Sequence, residues 1–291
     1  MRMTRTLSAS LLALALAACT TNTPLSSTST DAPRSLAGAV SAADPRAQAA
    51  GEEMLARGGS ATDAAIAVML ALGVVEPQSS GIGGGGFMVR GTAGGSVGTF
   101  DGRETAPASA TPDWFLDENG QLPPFIESVR SGLSVGVPGN IALAAKAHAA
   151  YGKLPWASLF EPAIKLARQG FEMNPRLNGM LESARNRSAH SAEARNIFFD
   201  AEGQPLPVGT VVKNEQLAQT LETIARGGRA AFYSGDTARA IATTVASDTP
   251  HTDAMTYGDV TSYDAKARDA VCGSYREYRV CTMGPPTSGG V

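Results

Sequence analysis

The sequence predicts a layered fold of the α+β class, in which helices and antiparallel strands alternate along the chain. Two closely spaced helical patterns come first, over residues 44–57 and 60–75. A run typical of a β-hairpin follows at 87–101, and a second such run lies at 266–283. Helical patterns fill much of the interval between the two hairpins. Helices, strands and helices in this order are typical of mixed folds with separate helical and sheet layers.

The first two helices have clear start signals. Asp44 followed by Pro45 is an N-cap with proline at the first helical position, and a pair of glycines ends this helix. The second helix begins with Ser60 and Asp63, which have the spacing of a capping box. Residues 64–75 are apolar on every face and number only twelve. We therefore expect a buried core helix and not a membrane span.

The later elements follow from alternation and helical spacing. The first hairpin is predicted from strands at 87–90 and 97–101, and the last from strands at 266–274 and 277–283. Between the hairpins, apolar residues recur at the spacing of amphipathic helices. These helical segments are 140–151, 156–169, 215–226 and 237–247.

Composition and charge exclude several classes of protein. Charged residues make up 18% of the 291 residues and the formal net charge is −3, so the basic surface of a nucleic-acid-binding protein is missing. The three histidines are not spaced as metal ligands, and no Gly-x-Ser-x-Gly elbow of a serine hydrolase occurs. We therefore expect no nucleic acid partner, no metal and no other cofactor.

The N-terminus has the pattern of an exported bacterial lipoprotein. Residues 1–18 contain two arginines and then a short apolar run, as in a signal peptide. The run ends in Leu-Ala-Ala-Cys, which resembles a lipobox, so we predict lipidation at Cys19. The alternative is an ordinary cleavage site with an incidental cysteine. Residues 19–43 then form a flexible tether, and the protein is expected on the periplasmic face of the outer membrane, held by its lipid.

Cys272 and Cys281 are the remaining cysteines, and an even pair in an exported protein is a disulfide candidate. If the terminal hairpin turns at residues 276–277, Cys272 faces Cys281 as a non-hydrogen-bonded pair. The Cα atoms of such a pair lie about 4.5 Å apart, which a disulfide tolerates. Because Arg-Glu is not a favoured turn pair, this prediction depends on the register.

A glycine-rich loop lies between the second helix and the first hairpin. Gly81, Gly83 and Gly86 match the spacing of a dinucleotide-binding fingerprint, but here a helix precedes the loop and a strand follows it, the reverse of what that site needs. Four successive glycines indicate instead a backbone with unusual φ and ψ angles that another group approaches closely. The alternative is a loop that is merely permissive.

Arg103 follows the first hairpin, in the run DGRETAP at 101–107. A guanidinium is planar and always charged, and it can bind a carboxylate through two parallel hydrogen bonds. The residues alone leave a commoner alternative open, a solvated arginine at a strand end that pairs with Glu104.

Several segments resemble, in the correct order, the signatures of the γ-glutamyltransferase family, whose members are also called γ-glutamyltranspeptidases. These segments are residues 76–87, 101–107, 134–139, 151–156, 159–164, Tyr263 and 284–290. The resemblance implies that residues 44–291 correspond to the large-subunit region of this family.

The resemblance also implies a fold and an activity. The fold is that of an N-terminal-nucleophile hydrolase, a four-layer αββα sandwich made as a precursor that cuts itself into a large and a small subunit. The new N-terminal threonine of the small subunit attacks the donor, which is glutathione or another γ-glutamyl amide. The acceptor is an amino acid, a peptide or water. Arg103 matches the arginine that binds the α-carboxylate of the glutamyl group.

The family's nucleophile comes later than residue 291, so we expect no catalytic residue in this sequence, only the substrate-binding Arg103. The prediction is a large-subunit region that is truncated at its C-terminus and inactive by itself. Two alternatives stay open. One is an amide acylase of the cephalosporin-acylase type, and the other is a non-catalytic lipoprotein remnant.

Overall fold

The computed structural model describes residues 38–290. The predicted signal peptide, Cys19 and the tether as far as residue 37 lie outside the described residues. The last residues that were assigned to the tether, 38–43, are described, and Ala42 packs against the hydrophobic core. The folded part therefore begins a few residues before the predicted boundary at 44.

The helices occupy much of the described chain. They are α1 (Pro45–Ala56), α2 (Ala61–Val75), α3 (Phe125–Arg130), α4 (Asn140–Tyr151), α5 (Glu161–Gln169), α6 (Pro175–Ser183), α7 (Arg185–Ser188), α8 (Ala192–Phe198), α9 (Glu215–Gly227), α10 (Ala230–Tyr233), α11 (Gly235–Ser247) and α12 (Tyr257–Ser262). Short 3₁₀ segments lie at Gly132–Ser134, Trp156–Phe160 and Ser288–Gly290.

The strands form one larger and one smaller antiparallel sheet. They are β1 (Gly86–Gly91), β2 (Val97–Gly102), β3 (Phe171–Glu172), β4 (Val211–Val212), β5 (Lys266–Tyr275) and β6 (Tyr278–Met283). The larger sheet has the order β1-β2-β5-β6, and β3 pairs with β4. Both predicted hairpins are therefore neighbours in one sheet, because β2 pairs with β5 although the two strands are far apart in the sequence. This confirms the α+β class.

The predicted caps of the first two helices are present. Asp44 accepts a hydrogen bond from the backbone of Arg46, and Ser60 and Asp63 cap each other's backbone N–H groups reciprocally. Helix α2 is buried along much of its length, as its uniformly apolar sequence predicts. None of the helices within residues 38–290 is long and apolar enough to cross a membrane.

Helix α4 packs on β1 and β2 and joins the sheet to the helical layer. Phe100 on β2 meets Tyr151 at the end of α4 with ring centroids 6.0 Å apart, in an edge-to-face arrangement. The opposite end of α4, its first turn, lies beside the end of β2. The candidate functional site lies at this junction between α4 and β2.

Two differences from the predicted elements have local causes. The single helix expected over 156–169 is a 3₁₀ segment followed by α5, because Pro162 lacks an N–H group and fits only in the first turn of a new helix. Helix α6 was not predicted, although Asn174 and Pro175 repeat the signal that starts α1. Asn174 accepts a hydrogen bond from Leu177 at 2.7 Å.

Candidate functional site

The glycine loop is held by the first turn of α4. The backbone N–H groups of Gly139 and Asn140 both donate to the carbonyl of Gly84, at 2.9 and 3.0 Å. The Asn140 side chain donates through Nδ2 to the carbonyl of Gly81 at 2.7 Å. Since α4 itself packs on the sheet, these three hydrogen bonds fix the loop relative to β1 and β2.

The close approach that the glycines predict is found at Gly85. A Cβ atom on this residue would stand 2.5 Å from the carbonyl oxygen of Gly102 and 2.7 Å from the backbone nitrogen of Glu104. No glycine in the stretch from Gly81 to Gly86 has a positive φ, so the left-handed conformation that glycine permits does not occur in this loop. Glycine is needed here for space and not for a left-handed conformation.

The backbone of Arg103 is fixed from both sides. Its N–H group donates to Oδ1 of Asp101 at 2.9 Å, and its carbonyl accepts a hydrogen bond from the Tyr263 hydroxyl at 2.7 Å. The Asp101 carboxylate is buried, and its Oδ2 accepts a hydrogen bond from Nε of Arg268 on β5 at 2.7 Å. The strand that pairs with β2 therefore contributes to the support of this loop.

The side chain of Arg103 is largely free. It is 58% exposed, and its ion-pair contact is between Nε and Oε2 of Glu104 at 3.4 Å. The structure thus contains the pairing with Glu104 that the sequence left open. That pairing uses Nε, so the two terminal NH₂ groups remain for a bidentate hydrogen bond to a carboxylate.

Tyr263 connects this loop to the segment at 134–139. Burial, with the negative charges of Asp101, Glu104 and Asp264, raises the pKa of Tyr263 to about 12. The hydroxyl is therefore protonated at neutral pH and can donate to Arg103. The Tyr263 ring stacks on Tyr233 with centroids 5.8 Å apart.

Tyr233 in turn fastens the segment at 134–139. Its hydroxyl donates to the carbonyl of Pro138 at 2.8 Å and accepts a hydrogen bond from the backbone of Ala142 at 3.2 Å. Burial raises the pKa of Tyr233 further than that of Tyr263, so this hydroxyl also stays protonated.

Three of the segments that resemble family signatures, 76–87, 101–107 and 134–139, therefore meet at one place together with Tyr263. The segment 151–156 does not contribute to it. Its backbone N–H groups at Lys153 and Leu154 donate to Oδ2 of the fully buried Asp63, at 2.9 and 3.3 Å. Burial would raise the pKa of the Asp63 carboxyl, but hydrogen bonds from these groups and from Ser60 outweigh it and lower the pKa.

The terminal hairpin has the predicted register, with Cys272 opposite Cys281 and a turn at residues 276–277. The two cysteines are joined as a disulfide with Cα atoms 4.1 Å apart. Arg279 donates to the carbonyl of Gly95 at 2.9 Å and so ties this hairpin to the turn of the first one. The disulfide therefore supports the sheet and is not part of the site around Arg103.

Within residues 38–290, no three His, Cys, Asp or Glu side chains are grouped so that they could hold a metal ion. A cavity of about 1060 Å³ lies between the 109–133 segment and the loop at 247–253, and Trp114 and His251 are among its lining residues. Arg103 does not line this cavity.

The sequence matches the profile of a family described as Gamma-glutamyltranspeptidase over residues 47–291. The "Glutathione hydrolase proenzyme" of Bacillus subtilis (strain 168) is 39% identical over 255 residues, which are 87% of this chain and 43% of that protein. The protein of the same name from Escherichia coli (strain K12) is 38% identical over 258 residues, 89% of this chain and 44% of that protein.

Solved structures give the same picture. The γ-glutamyltranspeptidase of Helicobacter pylori superimposes with a TM-score of 0.82 at 36% identity, over 87% of this chain and 72% of that one. A cephalosporin acylase from Bacillus halodurans does so with a TM-score of 0.69 at 30% identity, over 81% of this chain and 44% of that one.

The chain spans less than half the length of these two curated relatives. The match nevertheless extends over most of the present sequence and includes every segment that forms the junction around Arg103. The chain belongs to the gamma-glutamyltranspeptidase family.

Proposed function

We propose that this protein supplies the large-subunit part of an enzyme that transfers or hydrolyses γ-glutamyl groups, and that Arg103 binds the α-carboxylate of the donor. The observation that carries the proposal is a largely exposed guanidinium, with only its Nε paired to Glu104, on a backbone held at both its N–H and its carbonyl. The names of the curated relatives favour glutathione as the donor.

In this proposal the reaction needs a small subunit from the same precursor, which supplies the N-terminal threonine. Its hydroxyl attacks the γ-carbonyl carbon, the amide C–N bond breaks, and the leaving amine takes up the proton of the hydroxyl. Water or the amino group of an acceptor then attacks the resulting ester and restores the threonine. Arg103 does not take part in bond making. It replaces the water around the α-carboxylate by two charge-assisted hydrogen bonds and so orients the γ-carbonyl.

The test is steady-state kinetics of the complete, processed protein with γ-glutamyl-p-nitroanilide. Arg103→Ala is expected to raise KM about ten- to a hundredfold, which corresponds to about 1.5–3 kcal/mol for hydrogen bonds to a charged group. Arg103→Lys should recover only part of this loss, because an ammonium group lacks the planar fork. Arg226→Ala removes another exposed arginine, on α9, and serves as the control.

Processing into two subunits should be normal in all three variants, because self-cleavage uses no donor. An unchanged KM in a fully processed Arg103→Ala protein would refute the assignment. The similarity to a cephalosporin acylase keeps an amide acylase as the second candidate. A processed protein that cleaves cephalosporin side-chain amides and no γ-glutamyl amide would establish that candidate instead.

We propose further that the protein is a lipoprotein whose mature N-terminus is Cys19, with the lipid on the periplasmic face of the outer membrane. The apolar run that ends in Leu-Ala-Ala-Cys supports this proposal. Because one acyl chain anchors a protein only marginally, firm attachment needs two or more. The intact mass should show the acyl groups, and Cys19→Ser should leave the membrane fraction. A Cys19→Ser form that stays in that fraction would exclude lipid anchoring at this residue.

A further inference from the structure

The backbone of Arg103 depends on two side chains that lie far from each other in sequence. Asp101 accepts from its N–H group, and Tyr263, 160 residues away, donates to its carbonyl. Both side chains are buried, although the guanidinium they support is exposed. An arginine at a freely solvated strand end would not need two buried hydrogen bonds to its backbone. Their presence here indicates that the position of the Arg103 backbone matters.

The Tyr263 hydroxyl has one defined place. Its ring is stacked on Tyr233, and its own carbonyl accepts a hydrogen bond from Arg229, whose guanidinium lies 4.7 Å from the centroid of the Tyr233 ring. A Cβ atom on Gly139 would stand 2.4 Å from the hydroxyl oxygen. The hydroxyl therefore occupies space that exists because residue 139 is glycine.

Asp101 has an equally defined environment. One carboxylate oxygen accepts from Arg103 and the other from Arg268, whose backbone carbonyl accepts a hydrogen bond from Thr99 at 2.6 Å. The carboxylate thus fastens the residue after β2 to the neighbouring strand β5. Together, the two anchors hold the backbone of Arg103 and leave its side chain largely exposed.

We propose that Tyr263 and Asp101 are positioning residues for substrate binding, which hold the backbone of Arg103 so that its guanidinium meets the α-carboxylate of a γ-glutamyl donor. This inference rests on the function proposed above. A long arginine side chain loses rotamer freedom when it binds, and a second loss would be added if its backbone also had to be ordered. The two anchors remove that second loss before the donor arrives.

The test is Tyr263→Phe in the complete, processed protein, because this change deletes the hydroxyl and keeps the stacked ring. We expect KM for γ-glutamyl-p-nitroanilide to rise about two- to tenfold, as for the loss of one hydrogen bond, with kcat changed less than twofold. Tyr257→Phe is the matched control. It removes a hydroxyl from the nearby helix α12 that contacts the backbone of Gly235 and not Arg103.

A double-mutant cycle separates positioning from a general structural effect. A residue that acts through Arg103 has nothing left to position once Arg103 is alanine, so Tyr263→Phe should change KM no further in the Arg103→Ala background. An equal fold-change in both backgrounds would mean that Tyr263 merely stabilises the fold, and the inference would be wrong. An unchanged KM for Tyr263→Phe beside a raised KM for Arg103→Ala would overturn the inference and leave the proposed function intact.

Variants of Asp101 provide a second, independent test of the inference. Asp101→Asn keeps one oxygen, which can accept from the N–H group of Arg103, but its NH₂ group cannot accept the hydrogen bond from Arg268. Asp101→Ala loses both contacts. We expect Asp101→Ala to raise KM several-fold and Asp101→Asn to recover most of the affinity. If both variants raise KM equally, the hydrogen bond to Arg103 is not what matters. If neither Arg103→Ala nor these variants affect KM, the proposed function itself fails.

Discussion

Replacing Gly139 by alanine tests whether the junction around Arg103 is as closely packed as the structure indicates. Gly139 precedes α4, and its N–H group donates to the glycine loop. A Cβ atom there would stand 1.9 Å from the carbonyl oxygen of Gly102 and 2.4 Å from the hydroxyl oxygen of Tyr263. Neither oxygen can move aside easily, because the first belongs to the backbone and the second to a tyrosine ring that is held by stacking on Tyr233.

The expected loss of stability in Gly139→Ala follows from these distances. The 1.9 Å contact is about 1.1 Å short of the 3.0 Å below which real Cβ atoms essentially never approach other atoms. Gly102 ends β2, where it pairs with Gly86, so its carbonyl cannot retreat without disturbing the sheet. Overpacking of this kind costs about 1–3 kcal/mol, and the hydrogen bond from Tyr263 to Arg103 adds about 1 kcal/mol if it breaks. We expect Gly139→Ala to lower the free energy of unfolding by about 3 kcal/mol.

The measurement is denaturant unfolding, with the midpoint and the slope compared between variants. Gly83→Ala is the control from the glycine loop itself, because nothing lies within 4 Å of a Cβ atom at that position and its φ is not positive. It should change stability by less than about 1 kcal/mol. Equal midpoints for Gly139→Ala and the parent would show that the junction can relax, and the reasoning from close approach would be wrong.

Two further predictions concern the supporting structure. Asp63→Asn should destabilise the protein by about 1–3 kcal/mol at pH 7, because it removes the charge from a fully buried acceptor. The folded state lowers the pKa of Asp63 below 3.8, so the carboxylate stabilises the fold above that pH and ceases to do so as the pH falls through the folded value. The stability difference between parent and variant should therefore shrink as the pH falls below 3.8, and a constant difference would contradict this sign. The Cys272–Cys281 bridge should leave neither thiol free in unreduced, unfolded protein, and its reduction should cost about 2–3 kcal/mol; labelling of both cysteines before reduction would disprove it.

Local signals account for the elements that could be predicted. Asp44 and the pair Ser60 and Asp63 satisfy backbone groups within three residues of themselves, so their effect can be read without the rest of the chain. Asn174 carries the same signal and predicts the start of α6 in the same way. The break at Pro162 was also local, since a proline inside a helical pattern interrupts it.

The site was predictable in part. Arg103 was singled out by its resemblance to a family signature, while its residue type alone favoured a solvated pairing with Glu104. The structure contains that pairing and also the anchors that hold the backbone beneath it. Tyr263 resembled the family as well, but no local pattern relates it to Arg103, because the two residues are 160 positions apart.

The sequence by itself determined the α+β class, the capped helices and both hairpins, and it predicted the pairing of Cys272 with Cys281 on a turn position that the structure then showed to be correct. These depend on spacing along the chain, which is visible in the residues. Only the tertiary structure decided which glycine of the loop is indispensable for space and which side chains hold Arg103. The glycine loop illustrates the reason, since Gly85 is confined by Gly102 and Glu104, which a different strand and the loop after it bring against it. Close approach is a property of two segments together, and neither segment encodes it alone.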